Sequence, residues 1–414
     1  MTRNATLPRP APFRSRPPGL LGLMFAGALS LLAGCVTQPT QPATLTQELP
    51  FDQAVADATD ALVAQTQKLP AFLATVESKL ARRGVVLDPM LDTGSGQQTA
   101  ATQLLERRVA QRIAAKHEQL EVLPFKAANL GRAEVLLTGT MKRQQVDRSR
   151  AVFQLNLALT ELKTGLVVAQ ASARARDDGI DTTPLRYYLD SPVLVKDKVV
   201  EGYIRTSATA PGQRGDATYL ERIATATLIN DATELYNAER YQDALGQYRS
   251  ALATPAGEQL RVLNGIYLSS WKLGRLAEAE QAFGKVVSLG IAYNQLGVKF
   301  LFNPNTTDFW SDQRVSGAYG MWLRQIARES VAAKVCMDVV GHTSRSGSED
   351  YNDALSLRRA AYVKQRLASE AAELAGKTRA VGKGFRENLV GSGTDNTVDA
   401  LDRRVEFKIL PCPG

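Results

Sequence analysis

Leu20 to Leu32 form a mostly apolar run of thirteen residues, preceded by a basic, proline-rich stretch and followed by Ala33-Gly34-Cys35. A bilayer-spanning helix needs about twenty residues, so this run is too short to cross comfortably, but it suits the hydrophobic part of a signal peptide. It therefore predicts that everything after it folds outside the cytoplasm, where cysteines oxidise. The chain has 414 residues, 44% hydrophobic and 22% charged. That composition excludes a wholly disordered or polytopic membrane protein and predicts roughly two to four globular domains. The formal net charge is +8, but Arg3, Arg9, Arg14 and Arg16 lie in residues 1–34, which hold no acid, so a chain beginning at Cys35 carries +4. So small an excess argues against a nucleic-acid partner, which requires a concentrated basic face. With two histidines, His117 and His342, and three cysteines, Cys35, Cys336 and Cys412, no His-rich or CxxC metal site is expected and no cofactor is implied.

Leu32-Ala33-Gly34-Cys35 resembles the bacterial lipobox. The resemblance implies cleavage after residue 34 of a 1–34 signal peptide and acylation of Cys35, whose multiple chains anchor stably where one would be marginal. Val36, in place of aspartate, implies sorting to the outer membrane, with the protein facing the periplasm. Residues 35–49, with Thr37-Gln38-Pro39-Thr40-Gln41-Pro42, read as an extended tether. Cys336 lies in an apolar run and Cys412 follows one. They form either a disulfide or two buried thiols, since sequence gives no Cα separation.

Three folded segments follow, and the fold class is a multidomain α/β chain. Residues 50–205 are an N-terminal α/β sandwich. It has helical patterning from Phe51 to Leu80 broken at Pro70, a strand at Val85-Val86-Leu87 and a helix from Leu104 to Ala115. Strands follow at Leu120–Phe125, Val135–Thr140, Val152–Leu159 and Leu166–Ala173. A strand and helix, an apolar strand ending in Thr138-Gly139-Thr140 and a hairpin turn Leu162-Lys163-Thr164-Gly165 resemble three periplasmic groups. These are curli-secretion-type lipoproteins, penicillin-binding-protein activator lipoproteins and the TolB N-terminal domain. Residues 206–220 read as a linker.

Residues 221–292 read as a central α-helical repeat pair. Tyr241, Ala244, Tyr248 and Ala251 recur 35 residues on as Leu276, Ala279, Phe283 and Val286, with Gly274 at a turn. This resembles two tetratricopeptide repeats. Two copies are fewer than the roughly three that stand alone, so the pair should dock on a neighbour.

Residues 295–412 read as strand (Val298–Phe302), helix (Gly317–Ser330), strand (Lys334–Val340), helix (Ala354–Leu374) and strand (Arg404–Leu410). Gly341-His342-Thr343-Ser344-Arg345-Ser346-Gly347, then Asn352 to Ala360, then Asp402-Arg403-Arg404-Val405, resemble the motifs of the OmpA-like peptidoglycan-binding domain, a βαβαβ fold. The resemblance implies peptidoglycan as partner, gripped by the zwitterionic end of a diaminopimelate stem peptide. An aspartate takes the ammonium, and an arginine fork takes the carboxylate. Carried over, the site is Thr343, Ser344, Asn352, Leu355, Arg359 and Arg404. Ser344 stands where the family has aspartate, and Asp402 where it has asparagine. His342 reads as a strand-end histidine with a structural hydrogen bond. Paired catalytic carboxylates or an activated nucleophile are not recognisable, so no enzyme is expected. The expectation is an outer-membrane lipoprotein that binds the wall and scaffolds unidentified envelope protein partners through its first two domains. The alternative is an assembly or secretion protein whose last domain has weak or no wall affinity.

Overall fold

The computed structural model describes residues 41–66, 82–147, 150–193, 196–294, 296–389 and 398–412. The signal peptide, Cys35, Pro70 and the helical patterning from Phe72 to Leu80 lie outside the described residues. Among these residues no helix is long and apolar enough to cross a membrane.

The first part is a seven-stranded sheet built from β1 (Ala43–Leu49), β2 (Arg83–Leu87), β3 (Leu91–Asp92), β4 (Leu120–Leu123), β5 (Ala133–Gln145), β6 (Ala151–Glu161) and β7 (Val167–Arg176). Its order is β1-β7-β6-β5-β2-β4, with β3 beside β5. Alternation along β6 sends Phe153, Leu155, Leu157 and Leu159 to one face. There they pack under α1 (Phe51–Thr66) and α2 (Ala100–Lys116). Val86, Leu91 and Leu136 face the other way, toward Val199, Val200 and Tyr203 of α3 (Lys198–Ser207). The β5 strand does not stop at Thr140 but runs to Gln145. Near Gly139 it passes from β2 to β3, and the Tyr203 hydroxyl bonds both the Gly139 N–H and its carbonyl, at 2.9 and 3.0 Å.

Two expected connectors are structured. The tether is shorter than residues 35–49, because Ala43–Leu49 form β1, an edge strand parallel to β7. Its polar residues hid it, while Ala43, Leu45 and Leu49 pack against the core. Residues 206–220 are not a free linker either. The N–H of Val167 bonds Gln213, the N–H of Gly215 bonds Gly165, and Tyr219 is buried.

Two helical hairpins follow, α4 (Ile223–Asn237) with α5 (Tyr241–Leu252) and α6 (Leu260–Lys272) with α7 (Leu276–Ala292). The 35-residue offset reappears in the backbone. Glu239 and Gly274 hold φ of 61° and 70° at equivalent turns, a left-handed conformation that only glycine takes without steric cost. Tyr248 and Phe283 are fully buried, and their outer partners come from beyond the pair. Tyr248 stacks on Tyr187 at 6.0 Å, and Phe283 on Trp322 at 5.4 Å. The Trp322 indole N–H donates to the Tyr267 hydroxyl at 2.8 Å. One hydrophobic core thus runs from the helical pair into the last domain, which supplies the burial that two repeats lack alone.

The last part is a four-stranded sheet, β10-β9-β11-β8, from β8 (Phe300–Leu301), β9 (Cys336–Gly341), β10 (Thr378–Gly382) and β11 (Arg404–Leu410). It carries α8 (Tyr319–Ala332) and α9 (Glu349–Glu370). Strand β10, parallel to β9, was not expected; it is an edge strand with an exposed, ion-paired Arg379 and little apolar alternation. Helix α9 begins five residues before Ala354 because Ser348 caps it and Glu349 and Asp350 suit its N-terminal dipole. Strand β8 is two residues long instead of five. Cys336 is bonded to Cys412, with Cα atoms 4.9 Å apart and a sequence separation of 76. Reducing it should lower stability by about 2–4 kcal/mol, by restoring chain entropy to the unfolded state. Denaturant midpoints with and without reductant check this, and identical midpoints would refute it.

Candidate functional site

The three C-terminal motifs meet where β9 ends and α9 begins. Gly341 closes β9, and a Cβ there would come within 2.0 Å of the Ser356 carbonyl of α9. The glycine is thus required by a helix that crosses directly on the strand. The Ser356 hydroxyl then accepts from the Gly384 N–H at 3.0 Å, pinning the turn after β10. Asn352 donates to the carbonyls of Ser346 and Ser348, at 2.8 and 2.9 Å, and so shapes the loop that carries Ser344. Leu355 is buried. The Thr343 N–H donates to Gly384 O at 2.9 Å, and its hydroxyl is buried with no partner among the described residues. Ser344 is buried too, with its hydroxyl 3.4 Å from that of Ser346.

Arg359 lies fully buried beneath this loop. Its Nε donates to Thr306 O at 2.9 Å, Nη2 to Asn303 O at 2.8 Å and Nη1 to His342 O at 3.2 Å. Its guanidinium sits 5.3 Å from the centre of the Phe302 ring. Arg403 enters the same region from β11's approach. Its Nε donates to Phe302 O at 3.2 Å, and its guanidinium lies 5.3 Å from the Trp310 ring. Two buried cations therefore hold the segment from Phe302 to Trp310. Sequence reading placed Arg403 in a motif but not in the site, and did not single out this segment. The aromatic run Phe302, Phe309 and Trp310, beside a motif arginine, was the available signal.

Arg404 is not brought to the Arg359 contacts. It bonds Glu406 at 2.8 Å and the Glu387 carbonyl at 3.2 Å. His342 is buried with Nε2 3.3 Å from Glu406 Oε1. Burial lowers its pKa, so the ring is neutral. Burial alone would raise the Glu406 carboxyl, but His342, Arg404 and Lys299 outweigh it and hold the group well below the usual carboxylate range. Burial pushes Lys299 down to about 8 despite Glu406. His342, Glu387 and Glu406 come within 4.8 Å of one another. Arg404, Lys299 and Lys383, the last 3.0 Å from Glu387, already balance those carboxylates. A divalent cation would face that positive charge at close range, so the cluster is an ion network.

The arrangement holds the Arg359 guanidinium among backbone carbonyls, with the neutral Ser344 hydroxyl on the loop that follows β9.

No family model matches the chain, and no curated protein does. Among solved structures it is similar to the peptidoglycan-associated lipoprotein from Burkholderia pseudomallei, at 23% identity over 27% of this chain and 89% of that one, with a TM-score of 0.23. It is similar to the cell wall anchor of the T6SS from Pseudomonas aeruginosa, at 23% identity over 27% and 76%, with a TM-score of 0.22. It is also similar to the LpoB C-terminal domain from Salmonella enterica, at 13% identity over 30% and 98%, with a TM-score of 0.21.

Proposed function

We propose that this chain is an outer-membrane lipoprotein, anchored through Cys35 and facing the periplasm. In this reading it binds peptidoglycan non-covalently through its C-terminal domain and acts as a binding protein, not an enzyme. The observation that carries the reading is the meeting of the motif residues around the Arg359 guanidinium, with Ser344 on the adjoining loop and Asn352 bonding that loop from the first turn of α9. Arginine is suited to a stem-peptide carboxylate by its planar fork. The helical pair and the first domain would present surfaces to envelope partners.

Ser344 favours a second reading, in which wall affinity is weak and partner assembly is the main role. A neutral acceptor in place of a carboxylate forfeits on the order of 1–2 kcal/mol toward an ammonium. Ser344→Asp should therefore increase retention on purified diaminopimelate-type sacculi by roughly five- to thirty-fold, less at high salt. Sedimentation of wild type and variant at two salt concentrations tests both readings. Wild-type retention with the gain supports the wall-binding role. No retention by either chain overturns it and leaves the assembly role.

A further inference from the structure

The loop after β9 and the approach to β11 run side by side. Val405 is the ladder partner of Gly341, and the His342 N–H donates to the Arg404 carbonyl at 2.8 Å. The Arg403 carbonyl still accepts from the Phe302 N–H at 2.9 Å, so strand-like pairing reaches one residue further back. Counting two residues beyond His342 and Arg404 in this antiparallel register brings Asp402 level with Ser344. A short segment ties the two positions together. At its start the Gly384 carbonyl accepts from the Thr343 N–H at 2.9 Å. At its end the Leu389 N–H and the Asn388 amide donate to the Asp402 carboxylate, at 2.6 and 3.0 Å. Ser344 and Asp402 are both buried, and they share this end of the sheet with the buried guanidinium groups of Arg359 and Arg403.

Relative to the OmpA-like motifs, these two positions exchange chemistry. Ser344 stands in place of an aspartate, and Asp402 in place of an asparagine. One carboxylate has therefore moved across the ladder and is not lost. Other acids nearby are engaged or set apart. Glu349 and Asp353 both pair with Arg386 at 2.8 Å, and Glu406 pairs with Arg404 at 2.8 Å. Asp399 sits one turn earlier, in the 3-10 turn Val398–Leu401. A carboxylate as deeply buried as Asp402 persists only where cations and hydrogen bonds offset its desolvation. In such a site its field reaches a charge several ångströms away with far less screening than at a surface.

We propose that Asp402 supplies the negative charge that Ser344 lacks, and so makes the C-terminal domain select the ammonium of a zwitterionic stem-peptide end over a plain carboxylate. Asp402 is then a specificity residue that acts by its charge, beside the Arg359 fork and the neutral Ser344 hydroxyl. This rests on the wall-binding function proposed above and deepens it. It also sets the size of the Ser344→Asp gain. With Asp402 present that gain lies toward the lower end of the expected range, because two facing carboxylates repel each other. With Asp402 neutralised the gain is larger.

Sedimentation of the full mature chain on diaminopimelate-type sacculi tests it, comparing wild type, Asp402→Asn, Ser344→Asp and the double variant. Free meso-diaminopimelate and pimelate serve as competitors; pimelate keeps both carboxylates and lacks the ammonium groups. Asp402→Asn should lower retention roughly fivefold or more, and adding Ser344→Asp should restore it. Wild type should be released by meso-diaminopimelate at a roughly tenfold lower concentration than by pimelate. Asp402→Asn should lose that preference, which a merely structural role would not move. If Asp402→Asn is retained like wild type, or loses retention but keeps the preference, this proposal alone is overturned. No retention of wild type overturns it together with the wall-binding function. Should Asp402→Asn fail to melt cooperatively, Asp402→Glu decides. It keeps the charge but shifts it by one methylene, so the preference should change roughly threefold or more. An unchanged preference in a chain that melts like wild type ends the proposal.

Discussion

Arg359→Ala is expected to destabilise the C-terminal domain by about 3–5 kcal/mol before it reports anything about binding. The fully buried guanidinium answers the carbonyls of Asn303, Thr306 and His342. Alanine leaves those acceptors unpaired and opens a cavity the size of an arginine side chain. Asn303 and Thr306 lie 56 and 53 residues away in sequence, so one side chain ties α9 to the segment after β8. Arg359→Lys keeps the charge but cannot reach three carbonyls from one ammonium, so it should lose an intermediate amount. Denaturant midpoints of the three chains check this. An alanine variant within ~0.5 kcal/mol of wild type, the range of ordinary surface substitutions, would show that these bonds contribute little.

The same geometry changes how wall binding must be tested. Loss of binding in Arg359→Ala would follow from a loosened loop as readily as from a missing ligand contact. Ser344→Asp is the informative substitution, because a gain of binding has no trivial structural cause.

These particulars show where the sequence was legible. The motif glycine, the serine of α9 and the asparagine were visible as a pattern, and the structure gives the reason: Gly341, Ser356 and Asn352 fix how one helix crosses one strand. The helical repeat was visible because small and aromatic residues recur at fixed spacing. The edge strands β1 and β10 were not visible, since a strand with one open side needs few apolar residues and imposes no clear alternation. Contacts between distant segments were also beyond reach. Nothing near Arg403 in sequence names Trp310, and nothing near Tyr187 names Tyr248.

The second large effect is on pH and arises where the first domain meets the helical pair. Asp88 follows β2 directly, is buried and accepts the hydroxyl of Tyr219, 131 residues away. Burial raises its pKa to about 7, against the hydrogen bond from Tyr219 and the charge of Arg261. Glu106, which accepts weakly from the Met90 N–H, is likewise raised to about 7 by burial. Both folded values lie above the unfolded ones. Their contribution to stability is therefore full below the ordinary carboxylate range, falls as pH climbs and is gone once pH passes about 7. Between about pH 5 and pH 8 each carboxylate should remove about 2–3 kcal/mol. Lys299, depressed to about 8, acts in the opposite sense, but only as pH rises above about 8, beyond the window of the carboxylates, and the lowered His342 is a single group opposing two on the acid side. The protein should melt higher at pH 5.5 than at 7.5. Asp88→Asn keeps an oxygen for Tyr219 and removes the charge, so it should stabilise the chain at pH 7.5 and flatten about half of the dependence. Thermal melts of both chains across this range are the measurement, and a wild-type melting temperature that rises with pH would contradict the burial of these two acids.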